Sequence, residues 1–322
     1  MQEEGKARST PVNGSTMSAF RIILSIWLAA AHSFHTFSIT DPFALWMKRT
    51  SFIATDVFIV MSATALCLRY TNGVALSGPS WSDFMLRRLS RIWPVHALVL
   101  VAMAVVGLIS MDPGQTGDLP AQIQSWLSQI ALIQAWGTDS DWTLWNSPTW
   151  TLSALVICYA IYPFICHFTA WVQRPRAVFI AALTLYGVVW AVADSHGQLG
   201  FGGLLALPQQ VGALRAVPIF ILAVLAAPLV GRFALVPKSR TLDNLAANSF
   251  CVYVIHWPIL KAMEMFGLQG WTYPAAALLI IFGAAHLLRT RIDDPIQRVL
   301  KRLLAGEKLT APVVVAAMRG TR

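Results

Sequence analysis

Charged residues are scarce in this sequence. Only 12% of its 322 residues are Asp, Glu, Lys or Arg, and the acidic residues number 15. A soluble domain carries about 25% charged residues, so the surface of such a domain cannot be built from this composition. Because 56% of the residues are also hydrophobic, we expect an all-α polytopic membrane protein rather than a soluble globule.

Cysteine chemistry and the motif of serine hydrolases are missing as well. The four cysteines (Cys67, Cys158, Cys166 and Cys251) lie inside apolar stretches, and no CxxC pair occurs. The sequence therefore predicts neither a disulfide framework nor a zinc site, and no metal is expected. No G-x-S-x-G elbow surrounds Ser62, so a serine-hydrolase mechanism is not indicated.

Basic residues outnumber acidic ones and give a net charge of +9. They occur in short clusters between apolar runs, such as 87–91, and in the segment after Arg289. This distribution is typical of cytoplasmic loops under the positive-inside rule, where basic groups also contact anionic lipid. We therefore expect membrane lipids as partners and no nucleic acid.

Eight apolar runs are long enough to predict a bundle of about eight transmembrane helices. With both termini cytoplasmic, all but four of the 24 Lys and Arg residues fall on the cytoplasmic side or at its interface. The loop 111–148 then lies outside, and it contains no Lys or Arg. The predicted spans are 17–37, 50–69, 92–110, 149–169, 177–194, 215–231, 244–262 and 271–289. The four exceptions are Lys48, Arg49, Arg215 and Lys261.

The spans divide the chain into three parts. Residues 1–16 are expected to form a disordered cytoplasmic tail, 17–302 the membrane-embedded domain and 303–322 a cytoplasmic C-terminal tail. The stretch 198–214 is apolar but short and is broken by glycine and proline. It is either a further pair of spans, giving ten, or a re-entrant or interfacial segment.

An arginine and a histidine share one face of the first predicted span. Arg21 and His32 are eleven residues apart, which places them roughly 16 Å apart along a helix and only about 20° from the same side. Ionisable groups inside a span are costly, so each one is a candidate functional residue. A lone histidine could instead be satisfied by a backbone carbonyl in the bundle.

Four further segments contain polar residues in or beside apolar runs. Together with the Arg21–His32 pair, their order resembles that of the acyltransferase-3 family of integral-membrane O-acyltransferases, over residues 21 to about 302. The segments are Asp56-Val57-Phe58-Ile59-Val60-Met61-Ser62, Arg88-Leu89-Ser90-Arg91, Trp150-Thr151-Leu152-Ser153 and Tyr253-Val254-Ile255-His256-Trp257-Pro258.

The chain departs from the family pattern at three positions. Ala63 replaces a glycine, Asp294 replaces a glutamate before Pro295, and Leu155 stands where the family usually has a glutamate. The change at Leu155 removes a carboxylate from the expected core. Either another acid, such as Asp56, takes over its task, or the activity or substrate of this chain differs.

The resemblance implies transfer of an acyl group, most often acetyl, from acyl-CoA to a carbohydrate hydroxyl. The acceptor would be an exopolysaccharide, a lipopolysaccharide or a lipid-linked glycan, and the expected location is a bacterial cytoplasmic membrane. Acyl-CoA acts as donor substrate, so no permanently bound cofactor is expected. Arg88 and Arg91 are the candidate acyl-CoA ligands, because guanidinium groups pair well with phosphate.

His32 is implied to be either the general base or a transient acyl carrier. Arg21 would anchor the donor or stabilise developing negative charge, and Asp56 would orient His32 or the acceptor hydroxyl. His256 is a second candidate acid, base or acceptor ligand, while Trp150 and Ser153 are candidate substrate-binding or supporting residues.

Each of these residues also has a structural interpretation. Arg88 and Arg91 could be topology anchors, Trp150 an interfacial belt residue, and Ser153 a helix-packing hydroxyl. For the whole chain, the competing hypotheses are a transporter or flippase for a lipid-linked sugar and a non-catalytic relative that only binds. The first would be expected to show paired broken helices, of which the sequence has one candidate.

Overall fold

The structure is a computed structural model whose described residues form helices joined by turns and short irregular segments. No strand occurs among these residues. The structure describes residues 14–70, 81–110, 119–137, 144–172, 175–195, 212–230 and 236–307. The all-helical class predicted from composition is confirmed for this part of the chain.

The described residues form eleven α-helices in chain order. They are α1 (Gly14–Thr36), α2 (Pro42–Arg69), α3 (Trp81–Ser110), α4 (Leu119–Ile130), α5 (Trp150–Val172), α6 (Pro175–Ser195), α7 (Gly212–Val230), α8 (Arg240–Ala246), α9 (Ser249–Glu264), α10 (Thr272–Leu288) and α11 (Asp294–Leu304). A short 3₁₀ turn (Ser147–Thr149) precedes α5, and a π-helical turn (Arg289–Asp293) joins α10 to α11.

Every predicted span coincides with a helix, namely α1, α2, α3, α5, α6, α7, α9 or α10. Among the described residues, five stretches are long and apolar enough to cross a membrane, so the chain is a multi-pass integral membrane protein. They are Ser15–Thr36, Pro42–Cys67, Trp81–Gly107, Ser147–His167 and Thr272–Leu304. The full count of eight or ten spans and the cytoplasmic position of both termini stay predictions.

The ends of the chain and the break before α7 lie largely outside the described residues. α1 begins at Gly14, three residues before the predicted span, and α11 continues through residue 304. Of the stretch 198–214, only the start of α7 from Gly212 is described. Its predicted re-entrant or spanning character therefore stays a prediction.

Two spans begin at least eight residues earlier than hydropathy predicted. α2 starts at Pro42 rather than residue 50, because Asp41 Oδ1 caps it by accepting hydrogen bonds from the N–H groups of Phe43 (3.0 Å) and Ala44 (3.1 Å). α3 starts at Trp81 rather than residue 92, so its basic cluster is helical. The prediction of one long loop over 111–148 is wrong, since α4 lies within it.

α1 and α7 are the central helices of the bundle. α1 packs against α2, α8, α9 and α10, whereas α7 packs against α2, α5 and α6. The run Ala29, Ala30 and Ala31 is buried in α1, and side chains this small let neighbouring helices approach closely. α1 therefore places its polar residues against several helices at once.

Pro94 inside α3 leaves one backbone carbonyl without its helical donor, and a side chain of another helix donates to it. Proline has no N–H, so the carbonyl of Ser90 loses its usual helical donor. The side-chain amide of Gln297 in α11 donates to this oxygen at 2.9 Å. The last helix is thereby fastened to the segment of α3 that carries the basic cluster.

Candidate active site

The two candidate site residues of α1 are both partly buried. Arg21 and His32 have intermediate exposure, as expected for side chains on one interior-facing side of a helix, whereas His35 is exposed. His32 lies four residues before the end of α1 at Thr36. The predicted placement of Arg21 and His32 on a common helix face is therefore compatible with their burial.

His32 forms a hydrogen bond with His256 of α9. The His32 Nδ1 and His256 Nε2 atoms are 2.8 Å apart, and the ring centroids are 5.0 Å apart with planes inclined by 19°. His256 is fully buried. Its other ring nitrogen, Nδ1, lies 2.7 Å from the carbonyl oxygen of Tyr253 and 3.2 Å from that of Val252.

These contacts determine which nitrogen of each neutral imidazole carries the hydrogen. A carbonyl oxygen only accepts, so His256 Nδ1–H must donate to the carbonyl of Tyr253. His256 Nε2 is then an acceptor, and His32 Nδ1–H must donate to it. The lone pair of His32 Nε2 is thereby left for a ligand, which is the state that a general base requires.

The shape of α9 depends on a residue from the segment before α5. Pro258 cannot donate to the carbonyl of Val254, and the side-chain amide of buried Asn146 donates to this oxygen at 2.8 Å. The Tyr253 hydroxyl donates to the carbonyl of Pro148. Two side-chain hydrogen bonds therefore fix the turn of α9 that precedes His256.

Trp257 packs beside the histidine pair. Its ring centroid lies 5.5 Å from that of His32, with the planes at 74°, in an edge-to-face arrangement. The Trp257 indole N–H donates to the carbonyl of Trp145 at 3.1 Å. The ring is therefore held in place, and it restricts the space around the His32 imidazole.

The two predicted acyl-CoA ligands on α3 have different contacts. Arg88 donates to the Tyr70 hydroxyl at 2.9 Å, and its guanidinium lies 5.5 Å from the ring centroids of Tyr70 and Phe84. Arg91 Nη1 lies 2.8 Å from both carboxylate oxygens of Asp293, whose side chain is fully buried. Arg91 therefore neutralises a buried acid, whereas Arg88 has no carboxylate contact among the described residues.

A polar pair lies within electrostatic reach of these cations. The hydroxyls of Ser62 (α2) and Tyr159 (α5) are 2.7 Å apart, and the charges of Arg21 and Arg88 both act on Tyr159. Arg21 also interacts electrostatically with Arg91. No described residue forms an ion pair with Arg21, so Arg21, Arg88 and Arg91 together have more positive charge than the carboxylate of Asp293 offsets.

Asp56 lies in a different cluster from His32. Its Oδ1 accepts from Arg215 of α7, from Nη2 at 2.5 Å and from Nε at 3.0 Å, and both side chains are buried. The Trp150 ring centroid is 5.2 Å from the Arg215 guanidinium. The expected contact between Asp56 and His32 is therefore not found, because the carboxylate is bound to Arg215. A catalytic role for Asp56 stays a prediction.

Ser153 and Trp150 are both buried at the start of α5. Ser153 Oγ accepts from the backbone N–H of Ala135 at 3.1 Å, which ties the segment after α4 to α5. A Cβ atom added to Gly212 would overlap the Trp150 indole, so α7 begins in direct contact with this ring. Both residues have packing contacts, and their roles toward a substrate stay predictions.

Two partners in these clusters were missed from the sequence although a signal was present. Arg215 is one of the four cations that depart from the positive-inside rule, and Asp56 is an acid within a predicted span. A buried cation and a buried acid need each other, so their pairing could have been predicted. The same reasoning applies to Asp293, an acid directly after an apolar span, which needs a cation such as Arg91.

The protein is a multi-pass integral membrane protein with a polar site between its helices. The site contains the histidine pair and the group of arginines. The family model described as an acyltransferase domain matches residues 16–227, which is more than half of the chain. The chain belongs to the acyltransferase-3 family and is an enzyme that transfers acyl groups. No curated protein and no solved structure matches it.

Proposed function

We propose that the protein is a membrane O-acyltransferase that moves an acyl group, in the first instance acetyl, from acyl-CoA to a carbohydrate hydroxyl at a bacterial cytoplasmic membrane. The observation that carries this proposal is the hydrogen-bonded series from the Tyr253 carbonyl through His256 to His32. It leaves His32 Nε2 with a lone pair in a partly buried site, inside a chain of the acyltransferase-3 family.

The chemical step follows from that lone pair. His32 Nε2 accepts the proton of the acceptor hydroxyl as its oxygen attacks the thioester carbonyl. A C–O bond forms, the C–S bond breaks, and the departing thiolate takes the proton back from the imidazolium. The positive charge that His32 bears in between strengthens its Nδ1–H bond to His256, because charge-assisted hydrogen bonds are stronger than neutral ones.

The arginine group supports donor binding at the other end of α1. The phosphates of CoA are anionic, and the guanidinium of Arg88 pairs readily with such groups. Arg21 lies roughly 16 Å along α1 from His32, and the Ser62–Tyr159 pair is within its electrostatic reach. We propose that the phosphates bind near Arg21 and Arg88 while the extended arm of the donor lies along α1 and brings the thioester to His32.

Incubation of the purified protein with acetyl-labelled acetyl-CoA tests the function, with and without candidate glycans. Label in the glycan that depends on the protein is the expected result. Sugar translocation across vesicles that does not depend on acyl-CoA would instead indicate a transporter. Donor binding with no label transferred to any glycan would favour a relative that only binds.

Donor binding is tested separately by replacing Arg88 with alanine. We expect weaker acetyl-CoA binding, with a larger loss at low salt because the contact is electrostatic. Binding is measured by titration calorimetry at several salt concentrations.

Arg87→Ala is the matched control, since Arg87 is exposed and adjacent on the same helix. Equal losses in both variants would mean that Arg88 acts only as part of a general basic surface. Arg91 is left unchanged, because its removal would leave the buried carboxylate of Asp293 without its partner.

A further inference from the structure

α4 has an inverted pattern of exposure. Its buried side chains are polar (Ser125, Ser128 and Gln129), and its exposed residues are mainly apolar (Leu119, Pro120, Ile123, Gln124 and Leu127). A helix on the surface of a water-soluble region has the opposite arrangement. No charged residue occurs from residue 119 to residue 137. The exposed face of α4 is thus suited to hydrocarbon rather than to water.

Hydrogen bonds show that α4 lies alongside α3 rather than beyond its end. The Trp126 indole donates to the carbonyl of Leu100 at 3.2 Å, and the Trp93 indole donates to the carbonyl of Ile130 at 2.9 Å. Near the end of α4, His96 Nε2 is 2.8 Å from the carbonyl of Gln129. α4 therefore runs antiparallel to α3, and its last turn is level with residues 93–96.

This position places the end of α4 at membrane depth. α3 includes a stretch long and apolar enough to cross a membrane, Trp81–Gly107. His96 lies eleven residues before Gly107, which is roughly 16 Å along a helix. That distance is about half of a hydrocarbon core of about 30 Å. α3 also exposes Val101 and Val105.

The chain after α4 satisfies the condition for non-helical backbone at this depth, which is burial within protein. Leu132 and Ala135 are buried, and the carbonyl of Ala135 accepts from the N–H of Ala213 at 3.1 Å. The N–H groups of Leu132 and Ile133 donate to carbonyls of the last turn of α4. Backbone groups of Leu132, Ile133 and Ala135 are therefore hydrogen-bonded within the protein.

We propose that residues 119–137 form a re-entrant segment, which enters the membrane on the side where α3 ends, and that lipid acyl chains cover its exposed face of Leu119, Ile123 and Leu127. The polar face of α4 is turned toward the bundle. There the side chain of Gln129 accepts from the backbone N–H of Asn146 at 3.0 Å, and Asn146 in turn supports α9. The lipid-covered helix thereby supports the backbone that presents His256.

Spin labelling in vesicles of phosphatidylethanolamine and phosphatidylglycerol tests the proposal. The full-length protein, with its four native cysteines replaced by alanine, carries one nitroxide at Ile123→Cys or Leu127→Cys. Power saturation compares access of oxygen, which partitions into lipid, with access of a water-soluble nickel complex. Leu279→Cys, on the exposed face of α10, is the lipid reference, and Glu307→Cys, after α11, is the aqueous reference.

We expect both α4 labels to match Leu279→Cys, with high oxygen access and low nickel access. Nickel access equal to that at Glu307→Cys would overturn the proposal, because it would put α4 in water. Low access to both reagents would also overturn it, because it would mean that protein, such as a second copy of the chain, covers this face.

Carbene labelling of the unmodified chain checks the same point without any substitution. In the same vesicles, a lipid-soluble diazirine should label the peptide covering 119–130, and a water-soluble diazirine should not. The reverse pattern would refute the proposal even if the cysteine variants failed to fold. Neither measurement depends on turnover, so the result is independent of the proposed acyl transfer.

Discussion

Replacement of His32 by alanine should lower kcat for acyl transfer by about 10²–10⁴-fold, which is the usual contribution of a general base. The Nε2 lone pair of His32 is the proposed proton acceptor. The Nε2 lone pair of His256 does not serve the acceptor hydroxyl, because it accepts the hydrogen bond from His32. Acetyl-CoA affinity should change little, since the proposed phosphate ligands lie near the other end of α1. Steady-state kinetics and donor titration on the same preparation measure both quantities.

His35 provides the matched control for this prediction. It is a histidine of the same helix, about one turn further on, but it is exposed. His35→Ala should therefore keep nearly full activity. His256→Ala should lower kcat by less than His32→Ala and leave KM nearly unchanged, because it removes only the acceptor that orients His32. Full activity of folded His32→Ala protein would refute the proposed mechanism.

Breaking the ion pair between Asp56 and Arg215 should have the largest effect on stability. Arg215→Ala leaves the carboxylate of Asp56 buried without its partner, and such a loss costs about 3–5 kcal/mol. The expected result is a clearly lower midpoint of thermal unfolding in detergent, followed by tryptophan fluorescence. Asp56→Leu combined with Arg215→Met should recover much of the loss, because a buried pair replaced by apolar groups is often close to neutral.

An exposed ion pair on α9 gives the comparison. Lys261 and Glu264 are 2.7 Å apart, and both side chains are 48% exposed. Glu264→Ala should change stability by less than about 1 kcal/mol, as is usual for surface pairs. If Arg215→Ala unfolded at the same temperature as Glu264→Ala, the buried pair would have no special structural importance. A double variant no more stable than Arg215→Ala would show that other contacts of Arg215 dominate.

The positions of the long helices could be predicted because long apolar runs are the strongest signal in a membrane sequence. The early start of α3 could not be read in this way, because the cluster at 87–91 lowers the hydropathy of its first turns. α4 was missed for a different reason. Its apolar residues recur at intervals of four, and the polar residues between them gave this stretch the average composition of an outer loop.

Sequence spacing could place side chains on one helix, but it could not predict the contacts between helices. Spacing on one helix placed Arg21 and His32 on a common face, because helix geometry is local. The contact of His32 with His256 depends on how α1 packs against α9, and no spacing rule reports that. The same is true of the hydrogen bond from Asn146 to the carbonyl freed by Pro258, which joins residues far apart in the sequence.

The hydrogen bond between His32 and His256 joins residues 224 positions apart, which has a consequence for biosynthesis. During translation α1 enters the membrane early, and α9 leaves the ribosome only after residues 16–227, the whole stretch matched by the family model, have been made. A nascent chain can therefore hold the whole stretch matched by the family model while its His32 still lacks the partner that sets its tautomer. The hydrogen bond that sets the tautomer of His32 can therefore form only after α9 has been made.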